Sequence, residues 1–286
     1  MESVRPRSRT GNEVWTPLMN PQWQMAGMNL LLDLSSLETI DDVIRYGQTY
    51  GNSFFNHRRL LDERLILSKL GALHHDFPDF DLFASALEDS PFSRDETVII
   101  LNDKRLSNIL FWHLRPLLMT LAFRADKTLE IGSGMGEMAR YLYMLRKPAR
   151  MSLLDLPTSL FFADVFLSAS FPNERLCYFE GKVDPDARFI LIPITRAGPL
   201  ETEQFDLIFN CGSMQEMLKK SIEGYCKLIG LTTSVFYSLN EKSTLIELPG
   251  FKVLYESNGF IPMIMEDSTV DRETIWVRQL SPCMSF

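Results

Sequence analysis

The chain has 286 residues, a formal net charge of −8, 45% hydrophobic residues and 23% charged ones. Those values suit a soluble globular protein long enough to bury one large core or two ordinary ones. The negative balance disfavours nonspecific binding to DNA or RNA, which takes clustered Lys and Arg, so no nucleic-acid partner is expected.

The opening residues, MESVRPRSRTGNE, are charged and lack an apolar stretch, so they do not read as a signal peptide. Residues 1–28 read as a loose arm that Trp15 and Trp23 can pin to the body. From 29 to 73 the pattern turns helical. Leu30, Leu31, Leu34, Leu37, Ile40, Val43 and Ile44 recur at spacings of three and four, and a second run over 56–73 offers Leu60, Leu61, Leu65, Leu67 and Leu70 to one face. Phe77-Pro78-Asp79-Phe80 breaks that run before a short helix at 81–87, and residues 96–102 have the β-branched character of a strand without an obvious partner. The pattern over 104–123 predicts one long helix. His113, Arg115 and Pro116 inside its apolar run favour a buried helix with a polar edge over a membrane span. Residues 29–123 are therefore expected to form a helical cap, and 124–286 an α/β domain.

In that second part, strands are predicted at 128–131, 151–154, 204–210 and 232–239, with helices at 137–145, 158–169 and 213–229. Residues 175–180 and 188–195 are both strand-like, and one of them should be the third core strand. A last helix is expected at 250–258, followed by a closing antiparallel hairpin of 260–266 and 273–280. The four cysteines, Cys177, Cys211, Cys226 and Cys283, form no C-x-x-C pair. They suggest neither a zinc site nor a disulfide framework, and a reducing cytoplasm is the simplest setting.

The organising stretch is TLEIGSGMGEMARYLYMLRKPARMSLLD, residues 128–155. It reads as strand, glycine turn, helix and a second strand ending on a carboxylate, which is a nucleotide-binding βαβ unit. The spacing Gly132, Gly134, Gly136 differs from the dinucleotide G-x-G-x-x-G. Glycines permit close backbone approach to a ligand. Glu130, two residues before the first glycine, can accept hydrogen bonds from a ligand ammonium, and Asp155 can accept both hydroxyls of a ribose. S-adenosylmethionine carries both groups in that order.

At these residues the chain resembles class I S-adenosylmethionine-dependent methyltransferases. The segments LEIGSGMGEMARYL, LLDLP, FDLIFNCGSMQEM and FYSLN extend the resemblance to the sugar O-methyltransferase family found near bacterial glycan and natural-product genes. It covers about residues 128–240. Met135 departs from it, standing where such families often have an aromatic residue. The resemblance implies a Rossmann-like, mostly parallel sheet that ends in an antiparallel hairpin, S-adenosylmethionine as cofactor, and a sugar or polyhydroxylated metabolite as methyl acceptor. The cofactor residues expected on this basis are Glu130, Gly132, Ser133, Gly134, Gly136, Asp155, Leu156, Ile194 and Asn210, with Ile194 flanking the adenine. Caps of related enzymes often mediate dimers, so a homodimer is the expectation for the assembly.

Glu216, in the Ser-x-x-Glu-Met element after the fourth strand, reads as the general base or a substrate-hydroxyl acceptor, or else as a cap or ion pair of its own helix. His113 is the second candidate base if the cap helix lies over the pocket, and otherwise a packing residue. Gln215 and Asn240 can orient a sugar hydroxyl or serve locally, and Tyr237 can contact substrate or simply pack. Some sugar methyltransferases hold a divalent ion with a D-x-x-H type element after strand four. Asn210, Cys211 and Gly212 are poor hard-metal ligands, so no metal is expected. Two other functions stay open: a natural-product methyltransferase acting on a polyketide, peptide or amine, with Phe161, Phe162, Met214 and Met217 feeding an apolar pocket; and a non-catalytic assembly subunit.

Overall fold

A computed structural model describes residues 36–44, 46, 63–80, 88–90, 98–258 and 271–279. In chain order it has α1 (Glu63–Asp76), β1 (Val98–Leu101), β2 (Lys104–Ser107), α2 (Asn108–Met119), β3 (Lys127–Ile131), α3 (Glu137–Arg146), β4 (Arg150–Asp155), α4 (Pro157–Ser170), β5 (Leu176–Tyr178) and β6 (Phe189–Pro193). Then follow β7 (Leu207–Cys211), α5 (Lys219–Thr232), β8 (Val235–Glu241), β9 (Phe251–Asn258) and β10 (Asp271–Arg278).

Eight strands form one sheet in the order β5-β6-β4-β3-β7-β8-β10-β9. Every neighbouring pair from β5 to β8 is parallel, and β10 runs antiparallel to both β8 and β9. This is a doubly wound α/β sheet closed by an antiparallel hairpin. The order reverses between β3 and β7, which places a ligand crevice at the carboxyl ends of those strands.

The core follows from strand alternation. Leu153 packs into one apolar cluster and Leu154 into the other, because successive strand side chains point to opposite faces. The first cluster joins strand residues such as Leu153, Leu191 and Phe209 to Met138, Tyr141 and Leu142 of α3 and Phe166 and Leu167 of α4. It also takes in Leu110, Leu114, Leu117 and Leu118 of α2, so the region before residue 124 shares this core. The second cluster packs Leu129, Ile131, Ile208 and Phe236 against Tyr225, Leu228 and Ile229 of α5. Since Leu129 and Ile131 face the second cluster, Glu130 faces the first, the side of α3 and α2.

Three of the expected helices differ in the structure. Residues 104–107 are not helical: β2 pairs with β1 through a two-residue turn in which Asn102 and Asp103 adopt φ of 50° and 62°. Asn and Asp tolerate that left-handed region, and hairpin turns demand it. The expected helix at 250–258 is strand β9, because Phe251 and Tyr255 satisfy a four-residue and a two-residue period alike. Accordingly β9 supplies the first arm of the closing hairpin, and residues 260–266 lie outside the described residues. The helix expected at 213–229 is a 3-10 turn, Met214–Glu216, followed separately by α5. Both strand-like stretches after α4 enter the sheet: β6 is the third core strand and β5 its outer neighbour. The other expectations for the residues before 98 that fall at 1–35, 47–62 and 81–87 lie outside the described residues.

One charged residue of α2 is buried where the apolar helix crosses the sheet. The Arg115 side chain is 7% exposed and donates to both oxygens of Glu273 on β10, at 3.2 and 3.0 Å. It also donates to Asp76 of α1 at 2.8 Å and to the Tyr255 hydroxyl of β9 at 3.3 Å. Glu273, 2% exposed, accepts in addition from the Tyr237 hydroxyl at 2.7 Å. Burial opposes the guanidinium charge, but Glu273 and Asp76 outweigh it and raise the Arg115 pKa. Removing one partner of such a group leaves an uncompensated buried charge. Arg115→Met is therefore expected to lower the unfolding free energy by about 3–5 kcal/mol in urea titration; a loss below about 1 kcal/mol would show that the pair is not the fastening it looks to be.

Candidate functional site

The turn after β3 sits at the carboxyl end of the sheet, and its three glycines meet three different demands. Gly132 has φ +73, and a Cβ there would lie 1.9 Å from Ser213 Oγ and 2.3 Å from Ser213 Cβ. Gly136 has φ +82, with Leu167 and Leu153 side chains 3.0 and 3.2 Å from its would-be Cβ. Those two positions are closed by the protein itself. Gly134, φ +54, is exposed and has nothing within 4 Å on its Cβ side. It is the open point of the turn.

The carboxylates gather around that point. Asp155, the last residue of β4, accepts the Gly134 N–H at 2.7 Å with one oxygen and the Leu156 N–H at 2.6 Å with the other. Burial pushes its pKa up to about 6, against those two backbone donors, which favour the ionised form. Glu130 is 8% exposed, and burial first, then the Asp155 and Glu137 charges, hold its carboxyl well above the usual carboxylate range. Among the described residues, Glu130 Oε2 and the buried Ser133 Oγ have no hydrogen-bond partner. Buried polar atoms without partners are uncommon in folded proteins, and each calls for an explanation, a bound water, ion or ligand among them.

Leu156 and Ile194 lie at the same carboxyl end of the sheet. The register pairs Asp155 with Pro193, so the residues that follow, Leu156 and Ile194, leave adjacent strands side by side and pack in one cluster. His113 arrives from α2: its Nε2 lies 3.5 Å from Glu137 Oε2, and its ring centroid lies 5.9 Å from that of Tyr141. Its Nδ1 is buried with no hydrogen-bond partner among the described residues. Glu137 opens α3 immediately after Gly136, so the helix before β3 reaches the glycine turn. Glu216 is half-buried at the end of its 3-10 turn, on the loop after β7.

Four residues that the sequence suggested for ligand contact have partners inside the protein. Asn210 is fully buried; its amide nitrogen donates to the Ile131 carbonyl at 2.7 Å and to Ser213 Oγ at 2.5 Å, and its oxygen accepts from Asn240 at 2.7 Å. Asn240 also donates to Ser238 Oγ at 2.8 Å. Gln215 accepts from the Glu241 N–H at 2.8 Å, and Tyr237 is buried against Glu273. These side chains tie β3, β7, β8 and β10 together beneath the crevice. Sequence reasoning missed Glu137 as a member of the site, although its place directly after Gly136 was a usable signal. It also missed the pairing of Ser213 with Gly132.

Among the described residues no group of three or more His, Cys, Asp or Glu is arranged to hold a metal ion, and no helix is long and apolar enough to cross a membrane. Cys177, Cys211 and Cys226 are free thiols.

No family profile and no curated protein matches the sequence. Solved structures with similar architecture are methyltransferases among others. The precorrin-6y C5,15-methyltransferase from Geobacter metallireducens is 14% identical, with 65% of this chain and 95% of that one covered and a TM-score of 0.40. TrmK of M. capricolum, solved in complex with S-adenosylhomocysteine, is 12% identical, with 58% and 67% covered and a TM-score of 0.40. The mitomycin 7-O-methyltransferase MmcR is 12% identical, with 60% and 57% covered and a TM-score of 0.37. What the site does follows from its own residues.

The contrast between glycines is testable by denaturant unfolding. Gly134→Ala should cost only the strain of a left-handed residue, about 1–2 kcal/mol. Gly132→Ala adds a steric overlap with Ser213 and should cost about 2–5 kcal/mol. Equal losses would mean that Gly132 is needed for its backbone angle alone.

Proposed function

We propose that the chain is an S-adenosylmethionine-dependent methyltransferase whose acceptor is a hydroxyl of a sugar or similarly polyhydroxylated small molecule. The observation that carries the cofactor assignment is the unpartnered, buried Glu130 oxygen on the strand that leads into the open Gly134 turn. A cation with room to approach the backbone satisfies both, and an ammonium next to a ribose does so with Asp155 in reach. The sugar assignment is supported by the resemblance of the residues 205–217 and 236–240 segments, FDLIFNCGSMQEM and FYSLN being read together.

The cofactor supplies a methyl group activated on a sulfonium. Glu130 accepts from its ammonium in a charge-assisted contact, Asp155 accepts from its ribose hydroxyls, and Leu156 and Ile194 border its adenine. Gly134 admits it close to the backbone, and Ser133 offers a hydroxyl. Asn210 holds β3 against β7 so that these groups keep their spacing. Alignment of acceptor oxygen with the methyl supplies about 7–11 kcal/mol in well-oriented systems, and a general base adds about 10²–10⁴-fold. His113 and Glu216 are the candidates to take the acceptor's proton. His113 is held at the turn by Glu137, and Glu216 lies on the loop after β7. Gln215, Tyr237 and Asn240 act beneath the acceptor, as supports of that loop and of β8.

The apolar pocket required by a natural-product acceptor has less support, because Phe162 and Met214 are 2% and 0% exposed and belong to the two cores.

Calorimetry with S-adenosylhomocysteine tests the cofactor assignment: one-to-one binding is expected, and Asp155→Ala should weaken it at least about tenfold, or about 1.4 kcal/mol. Folded protein that binds none would end the assignment. With a sugar acceptor identified by a substrate panel, His113→Gln or Glu216→Gln should lower kcat by about 10²–10⁴-fold at unchanged cofactor affinity. Full-rate turnover by both variants would leave neither as the base.

A further inference from the structure

Among the described residues, the charges that bear on Glu130 are acids. Glu130 faces Asp155 of β4 and Glu137 of α3, and its charge bears on the Cys211 thiol of β7. The cations carried by the two helices on its face are committed elsewhere. Arg115 of α2 binds Glu273 and Asp76. Arg140 of α3 donates to the Glu88 carbonyl at 2.9 Å, and Arg146 donates to the carbonyls of Thr120 and Phe123 at 3.1 and 2.5 Å. His113 of α2 is directed to Glu137. A buried carboxylate with an unpartnered oxygen and two acidic neighbours has one inexpensive state in the free protein, the neutral acid.

We infer that the cofactor's ammonium enters by displacing a proton from Glu130, so that binding is a cation-for-proton exchange and tightens as pH rises. This rests on the function proposed above and adds to it a regulation of the same site. The balance is simple. The O–H bond of the Glu130 acid breaks, its proton leaves to solvent, and the carboxylate left behind accepts a hydrogen bond from the incoming ammonium. No oxidant or co-reactant is needed.

The sign follows from linkage. In the free protein the Glu130 pKa is raised, by burial first and then by Asp155 and Glu137. In the complex the ammonium favours the ionised form and lowers it. Between those two values the ligand binds with loss of a proton, and affinity rises with pH by up to about tenfold per unit. Above the free-protein value the dependence disappears. Asp155, raised to about 6, can also exchange a proton on binding, and the His113 imidazole, 3.5 Å from Glu137, is a third group at the site able to hold one. The test must therefore separate the three groups.

Calorimetry with S-adenosylhomocysteine, which keeps the ammonium, is run at several pH values between about 5 and 9, each in two buffers of different ionisation enthalpy. The heat difference counts the protons released. A net release is expected in the wild type, in Asp155→Asn and in His113→Gln, and none in Glu130→Gln. Wherever a proton is released, the Kd of the wild type should fall as pH rises, by up to about tenfold per unit, and the Kd of Glu130→Gln should not follow it. Binding without proton release overturns the exchange alone. So does a release that survives in Glu130→Gln but vanishes in Asp155→Asn. A folded protein that binds no ligand in any buffer removes the exchange together with the function it rests on. If Glu130→Gln does not fold, the other two variants decide the matter: a release that persists in both Asp155→Asn and His113→Gln leaves Glu130 as its source, and a release lost in either overturns the assignment.

Discussion

The amide of Asn210 is the constraint on which the site geometry depends. Through it the end of β7 is bonded to the Ile131 carbonyl of β3 and to Asn240 of β8, with Ser213 drawn into the same knot. Parallel strands diverge into loops at their carboxyl ends, and nothing in the ladder itself fixes how those ends sit. A buried amide with donors and acceptor all satisfied fixes them, since any slip strands a polar group without water. The same knot brings Ser213 against Gly132 and so sets the depth of the glycine turn. The surface offered to a ligand, with Gly134 at its open point, is thus a consequence of how three strand ends are pinned.

Helix α2 is pinned from two sides. His113 and Arg115 are two residues apart, roughly 200° around the helix, and so reach in opposite directions. Arg115 engages α1, β9 and β10, while His113 meets Glu137 at the start of α3. The helix therefore bridges the antiparallel margin of the sheet and the glycine turn. Its orientation is communicated to the site through a charge pair at one side and an imidazole at the other.

Features that rest on local conformation were legible in the sequence: the three glycines, the acids on either side of them, and the strand–helix alternation from 128 onward. The turn at Asn102-Asp103 was local as well, but the surrounding apolar residues fit a helix and hid it. Strand β9 was lost because two aromatic residues four apart serve either period. Asn210, Gln215, Tyr237 and Asn240 looked like ligand contacts because polar residues at strand ends have no partners in a linear sequence; their partners come from strands that only the folded sheet makes adjacent. Arg115 is the intermediate case. A guanidinium in an apolar helix announces that a buried partner exists. Its identity as Glu273, 158 positions away, was not readable.

The place of β10 has a consequence for how the protein is made. It is the last described strand to be synthesised, yet it is inserted between β8 and β9, which have no other contact in the sheet. While the chain emerges from a ribosome, the glycine turn and its carboxylates can already be assembled on β3, β4 and β7. Throughout that interval β8 presents an open edge, β9 has nothing to pair with, and the guanidinium of α2 waits for its carboxylate. Unpaired strand edges are templates for wrong pairing. A chain ending before residue 271 would therefore carry β3, β4 and β7 with the opposite margin unprotected, and the addition of a single strand closes the sheet, neutralises the buried charge and ends that exposure together.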